Sequence, residues 1–479
     1  MENMERAPVK FGKRGFIYLL LALVIAGAYQ FLHGSLFSLR GFHLPGIGFT
    51  ISQWLIVAAV LIPAIREKKA KISWQGIFLL VCALGMGLCY GIFANDWMRL
   101  LNLPAFFLLT SMALFSLTGK AQQAVLSWNG LKESFCRFFS SMFHHVGVPF
   151  RAAGEMARER TGKLRGLGLG ILLGVVAMLI AASLLASADQ FFDGMVKNAF
   201  SSMGRINGIS VRRLLFTALF GLLIFSSLYS FYGEGEQYFF TPVKRSAPPL
   251  TFAAILSMIA CIYGLFVYVQ FRFLFGNEQT ALSAGGYAEY ARTGFFQLVL
   301  LSALTLLLIL PALSLCGESK AVRILCAVVA LLTTVIDFSA FYRMRLYIAE
   351  YGLSLLRMLT LWAMAVIFGA LMLALVKCIR PGFRFAPVWL VIVFGSWLAL
   401  NMINMDACIA RHNIRAFEQG TVAKLDAEYL CSLSPDVLPA IREISDPALR
   451  EEMLAKAEKH FAPNQPMAYD WALSWLKVK

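Results

Sequence analysis

Long apolar runs without charge recur along this sequence, separated by short clusters of Lys and Arg. A helix needs roughly 20 apolar residues to cross the hydrocarbon core of a bilayer, which is about 30 Å thick. The 479 residues are 59% hydrophobic and only 15% charged, a composition typical of membrane proteins. The sequence therefore predicts an all-α fold, a polytopic transmembrane bundle of about 11 helices with a small helical C-terminal appendage. The runs lie near residues 15–32, 49–65, 74–93, 99–117, 166–187, 214–232, 250–271, 295–316, 324–342, 358–377 and 386–403.

These runs divide the chain into four predicted segments. Residues 1–117 hold transmembrane helices 1–4, residues 118–165 form a basic amphipathic cytoplasmic linker, residues 166–403 hold helices 5–11, and residues 404–479 form a helical tail. The first run follows basic residues as a signal peptide does, but no convincing small-residue cleavage site comes after it. We interpret it as a retained helix.

The distribution of Lys and Arg predicts the orientation. With the N-terminus inside, the inner short segments hold 23 Lys and Arg and the outer ones 11, a bias that arises because Lys and Arg are retained on the cytoplasmic face. The net charge of +16 follows from this bias, so we expect no nucleic acid among the partners. We predict a multi-pass protein of the cell (inner or plasma) membrane, with a cytoplasmic N-terminus and an extracytoplasmic C-terminus.

Two segments carry helix-packing and interfacial patterns. Apolar residues from Trp128 to Val146 recur at three- and four-residue spacing in a basic linker, which predicts an amphipathic helix, either at the inner leaflet or docked on the protein's own inner surface. Gly166, Gly170 and Gly174 follow one another every four residues and form a smooth ridge for close helix packing.

The tail reads as short helices with clear boundaries. Ser434 and Asp446 each precede a proline, which is the pattern of a helix start, and Gly420 is a helix stop.

A further polar group at the exit of the last run is predicted to anchor the tail and to meet the polar segment described next: Asn404, Asp406, Arg411 and Arg415. Cys408 and Cys431 are the one pair that could form a disulfide, and only if their compartment is oxidising; whether they pair stays open. No spacing typical of a zinc or nucleotide site occurs, so we expect no metal and no cofactor.

A polar stripe interrupts the apolar runs near residue 350. On a helix over residues 343–357, one side would carry Arg343, Tyr347, Glu350, Tyr351 and Arg357, with Arg345 nearby. Asp337 precedes the stripe inside the ninth run, where an unpaired charge costs several kcal/mol. We expect it to face a partner or a wet cavity, with Arg343 or Arg345 within reach if the helix bends.

The stripe supports three hypotheses. It caps the bundle as a re-entrant or interfacial helix, with its charges paired internally. It recognises an anionic lipid headgroup, a small anion or a protein partner at the outer face, as guanidinium groups do. It forms part of a transport path, with Asp337 and Glu350 as protonatable or ion-binding groups.

Three sequence blocks, "DFSAFYRMRLYIAEYGLSLLRM", "NMINMDACIARHNIRAF" and "LDAEYLCSLSPDVLPAI", resemble the bacterial polytopic membrane proteins of the domain of unknown function 4173 family. Met405 departs from the pattern, where Pro is expected. The resemblance implies a bacterial envelope protein and implies no activity and no catalytic residues.

The sequence holds no GxSxG, HExxH or P-loop motif and no recognisable pair of catalytic carboxylates. We therefore expect a regulatory or partner- or lipid-binding membrane protein more than an enzyme. The alternative is a transporter of a small ion or anionic solute that uses Asp337 and the polar stripe. A second alternative is a membrane enzyme that acts on a lipid-linked substrate.

Overall fold

The computed structural model describes residues 13–33, 37–38, 41–42, 46–152, 208–232, 247–275, 294–316, 318–422 and 425–461. Apart from a two-residue antiparallel pairing of β1 (Phe37–Ser38) with β2 (Gly41–Phe42), the regular structure in these ranges is helical. Nine of the described helices are long and apolar enough to cross a membrane. The predicted all-α polytopic fold is confirmed.

Two compact units make up the chain, and each is taken by itself. The first covers residues 1–125, 129–240 and 465–479. In it, α1 packs against α2 and α6, and α3 packs against α4. Its described helices are α1 (Lys13–His33), α2 (Ile47–Arg66), α3 (Trp74–Ile92), α4 (Asp96–Leu117), α5 (Trp128–His144) and α6 (Gly208–Tyr232).

The second unit covers residues 126–128 and 241–464 and is built around one long helix. That helix, α9 (Lys320–Tyr351), contacts α7, α8 and α10. A further set of short helices packs together as the tail appendage, residues 404–461. The other elements are α7 (Pro249–Phe275), α8 (Phe295–Leu315), α10 (Leu355–Ile379), α11 (Phe385–Met402), α12 (Met405–Glu418), α13 (Ala427–Ser432), a 3-10 helix (Pro435–Val437), α14 (Leu438–Arg442) and α15 (Pro447–Phe461).

The predicted runs and the observed helices agree closely. Nine of the eleven runs coincide with the nine apolar helices of the described ranges. The first run forms α1, whose described apolar part, Arg14–Tyr29, is shorter than a span. The fifth run, with Gly166, Gly170 and Gly174, lies outside the described residues. The count of eleven and the sides of the membrane on which the two ends lie stay predictions.

The end of the ninth run differs from the expectation. The polar stripe is not a helix of its own, because α9 continues without interruption from the apolar run to Tyr351. The helix then breaks at Gly352, whose φ of +74° disfavours other residues. Ser354 caps the start of α10, where its side chain accepts a hydrogen bond from the backbone N–H of Arg357. The stripe is thus shared between the last turns of α9 and the first turn of α10.

Candidate functional site

The length of α9 positions the polar stripe. Exposed apolar side chains follow one face of this helix from Ile324 to Tyr342, a distance of about 27 Å at 1.5 Å per residue, which matches the hydrocarbon thickness of about 30 Å. The whole helix of 32 residues is about 48 Å long. From this match of lengths we expect the last turns, Arg343–Tyr351, to lie beyond the hydrocarbon, at the headgroup level or in water.

Arg357 holds the junction between α9 and α10 together. Its guanidinium donates hydrogen bonds to the carbonyl oxygens of Tyr351, at 2.9 Å, and Gly352. Its central carbon also lies 4.2 Å from the centroid of the Tyr347 ring, in a cation–π arrangement. A cation placed at a helix C-terminus offsets the partial negative charge of the last carbonyls. Arg357 therefore stabilises the connection between α9 and α10.

The tail appendage binds this same junction. The side-chain amide of Asn413 on α12 accepts a hydrogen bond from the backbone N–H of Leu353 (2.7 Å) and donates one to the carbonyl oxygen of Leu353 (2.9 Å). The hydroxyl of Tyr429 on α13 accepts from the backbone N–H of Leu355 at 3.1 Å. The tail and the junction therefore meet through Asn413 and Tyr429, which the sequence analysis did not name.

Asn404 and Asp406 hold the tail at its exit from α11. Asn404 caps α12 by accepting from the backbone N–H of Ala407 (3.0 Å), and it donates to the carbonyl oxygen of Asp436 (3.1 Å). Asp406 is 1% exposed and accepts from the backbone N–H (3.2 Å) and the hydroxyl (2.5 Å) of Ser434. These contacts tie the start of the tail to the 3-10 helix that follows Ser434.

The remaining tail residues lie nearer the solvent. Arg411 makes a two-pronged ion pair with Glu443, the shortest distance being 2.8 Å, and Arg415 is exposed. As predicted, Ser434 and Asp446 accept hydrogen bonds at helix starts, and Gly420 follows the end of α12 with a φ of +70°. Cys408 and Cys431, whose pairing the sequence left open, are free thiols in the structure.

Asp337 does not form the expected ion pair. Its side chain is 3% exposed, and within the described residues its Oδ1 atom has no hydrogen-bond partner. Arg343 lies six residues further along α9, and its guanidinium reaches Oε1 of Gln270 at 3.4 Å. Ser339 donates to the same oxygen at 3.1 Å. The predicted pairing required a bend between these residues, which lie on one uninterrupted helix.

The arginines of the stripe do not converge on one ligand. Arg343 and Arg345 are two residues apart, so they point to nearly opposite sides of α9. Arg357 is engaged at the junction, whereas Arg345 and Glu350 are exposed. Among the ion pairs of the described residues, none involves Arg345 or Glu350. In the same part of the chain, no three His, Cys, Asp or Glu side chains are grouped as metal ligands.

Sequence reasoning missed the residues that join the site. Asn413, Tyr429 and Gln270 act across long sequence separations, and a pattern within one helix cannot indicate such partners. Gly352 was an available signal, because a glycine inside a predicted helical segment, here within the polar stripe, often marks a helix end.

The helix bundle and its apolar surfaces define a multi-pass integral membrane protein. A family model described as Domain of unknown function (DUF4153) matches residues 80–444, more than half of the chain, and the protein belongs to that family. The resemblance to the 4173 family was therefore wrong, although the blocks that suggested it, all between residues 337 and 441, lie inside the matched range. No curated protein and no solved structure matches significantly. The family description assigns no activity.

Proposed function

We propose that this is a regulatory membrane protein whose tail appendage binds a protein partner and passes that event to the α9–α10 hairpin. The observation that carries the proposal is the double hydrogen bond of Asn413 to Leu353. It joins a helix of the tail to the connection between two apolar helices. Displacement of α12 must therefore break these bonds or move the connection.

The surface around the junction supports partner or headgroup binding. Arg345, Glu350 and Tyr351 are exposed beside the tail contacts, and Arg345 follows the exposed aromatic residues Phe338 and Tyr342 on the lipid-facing side of α9. Aromatic rings and a terminal arginine are typical of the boundary between hydrocarbon and headgroups. Anionic headgroups would hold this end of the hairpin while the partner engages the tail.

Two experiments test the proposal. A photoreactive residue at exposed Glu451 of α15 should capture a discrete protein in native membranes, and a photoreactive residue at lipid-facing Leu331 should not. An antibody fragment against α15 then serves as a defined tail ligand, and amide hydrogen exchange is measured at Leu353 and Leu355. We expect the fragment to change both exchange rates several-fold.

The Asn413→Ala variant should abolish the change in amide exchange at Leu353 and Leu355. The His412→Ala variant, which alters the exposed neighbouring residue, should retain it. Unchanged exchange at Leu353 and Leu355 in the wild-type protein, with the fragment bound, would refute the coupling. If the photoreactive residue at position 451 captured no protein, the proposal that a protein partner binds the tail would be refuted.

Asp337 favours a second candidate, transport of a small cation or proton. A buried carboxylate within a membrane helix is costly unless it is neutral or meets a ligand, and the Oδ1 atom of Asp337 has no described partner. Proteoliposomes loaded with a pH-sensitive dye test this function. Dissipation of an imposed proton gradient by the wild type but not by Asp337→Asn would support it, and equal rates for the two would exclude it.

A further inference from the structure

Helix α5, in the first unit, turns its polar side toward the protein and its aromatic side outward. Glu133, Ser134 and Ser141 are buried. The phenylalanines on the opposite side are exposed: Phe135 by 54%, Phe139 by 47% and Phe143 by 62%. An amphipathic helix on a water-soluble surface would have the reverse orientation.

The inward side is held by an ionic network. Glu133 is 2% exposed and accepts hydrogen bonds from the backbone N–H groups of Gln122 (3.0 Å) and Gln123 (2.8 Å). Arg137, one turn later, pairs with Glu133 at 3.1 Å and donates to the carbonyl oxygen of Lys120 at 2.5 Å. Because Glu133 and the terminal nitrogens of Arg137 are paired within the protein, the network favours the outward orientation of the phenylalanines.

Contacts with two membrane helices place α5 at the level of the bilayer. Ser226 of α6 is fully buried, donates to the carbonyl oxygen of Ser141 (2.6 Å) and accepts from the backbone N–H of His145 (2.9 Å). The ring of Phe138 packs 5.2 Å from that of Phe107 in α4. Phe107 lies ten residues before the end of α4, a depth of about 15 Å along the helix axis.

We propose that α5 is a lipid-binding helix, with Phe135, Phe139 and Phe143 inserted among the acyl chains of the membrane that α4 and α6 cross. Lys132 is exposed one turn before Cys136 on the same face, where it contacts the phosphate of an anionic phospholipid. The inference goes beyond the proposed function, because it concerns the first unit and requires no protein partner.

Cys136 is exposed on this face and provides the probe. In a Cys261→Ala, Cys408→Ala background, which removes the other accessible thiols, an environment-sensitive fluorophore is attached to Cys136. The full chain is placed in nanodiscs of phosphatidylcholine and phosphatidylglycerol with brominated acyl chains. We expect at least twofold stronger quenching than for a label at water-exposed Glu451→Cys, and weaker quenching by aqueous iodide.

The outcomes separate lipid from its competitors. Iodide quenching at Cys136 equal to that at Glu451→Cys would show a water-facing surface and overturn the proposal. Quenching by neither agent would show that another protein surface covers the helix and would overturn it as well. For the headgroup contact, replacing phosphatidylglycerol by phosphatidylcholine should lower acyl-chain quenching in the wild type but not in Lys132→Gln. An equal loss in both proteins would overturn the role of Lys132.

Discussion

The side chain of Asn413 satisfies both backbone groups of Leu353, a residue 60 positions away in sequence. A primary amide offers one acceptor and two donors, so it pairs with a peptide group as a neighbouring strand would. The connection between α9 and α10 therefore obtains from the tail the hydrogen bonds that its own helices cannot supply.

Removal of that amide should loosen the tail. Asn413→Ala leaves two half-buried backbone groups without protein partners, and we expect a loss of about 1–2 kcal/mol in unfolding free energy. Denaturant titration in mixed micelles measures the loss. His412→Ala on the same helix is the matched control and should change stability by less than about 0.5 kcal/mol.

Gly352 should tolerate no side chain. Its φ is +74°, and a Cβ atom would lie 2.7 Å from Oδ1 of Asn413, so Gly352→Ala combines backbone strain with a clash. We expect a cost of about 1–3 kcal/mol from strain alone. Gly369→Ala within α10 is the control, since a Cβ atom there meets nothing within 4 Å. An equal melting temperature for the two variants would contradict the assigned geometry.

Two carboxylates of the tail should differ in their effects. Asp406 is 1% exposed and accepts two hydrogen bonds from Ser434, so Asp406→Ala should cost about 2–3 kcal/mol. The Glu443 side chain is 52% exposed in its ion pair with Arg411, and Glu443→Ala should cost less than about 1 kcal/mol because solvent screens the pair. Thermal unfolding of the two variants measures which substitution destabilises the protein more.

Loss of the Glu133 charge should destabilise the docking of α5. Glu133→Gln leaves the half-buried guanidinium of Arg137 without its counter-ion, a change that typically costs about 3–5 kcal/mol for a fully buried pair. Hydrogen exchange of the amides of Gln122 and Gln123, which donate to Glu133, should rise at least tenfold. Lys132→Gln, an exposed change one residue earlier, should leave that exchange unaltered.

Acidification should weaken the first unit through His145. Burial, helped by the nearby His144 and Lys120, lowers the pKa of His145 from 6.5 to about 4. Its ring packs against Tyr229 and its backbone N–H donates to Ser226. Because the unfolded imidazole takes up a proton first, stability should fall as the pH drops from about 6.5 to about 4 and stay level above that range.

The His145→Phe variant keeps the ring contact and should flatten this pH slope, which thermal melts at successive pH values between 4.5 and 7.5 would reveal. His144→Gln, at the exposed neighbour, should retain it. A slope that survives in His145→Phe would assign the acid sensitivity to another group.

The sequence predicted what depends on local rules. Apolar length located the nine described spans, and short-range chemistry located the helix boundaries at Gly420, Ser434 and Asp446. The side of α5 that faces the protein could not be predicted, because it depends on Glu133 reaching amides in a preceding turn. The partner of Arg343 was missed for the same reason: Gln270 lies on a different helix, and helical periodicity contains no information about which helices become neighbours.

The 32-residue span of α9 makes acyl-chain length a physical variable for this protein. In a thicker bilayer of long-chain lipids, the turn that bears Arg345 would be drawn into the hydrocarbon core. In a thinner bilayer of short-chain lipids, α9 would tilt to reduce the hydrophobic mismatch. We expect either change in α9 to move the tail, because Asn413 is hydrogen-bonded to the backbone of Leu353 just after the end of this helix. We therefore expect the thickness of the membrane to change the position of the appendage relative to the lipid surface.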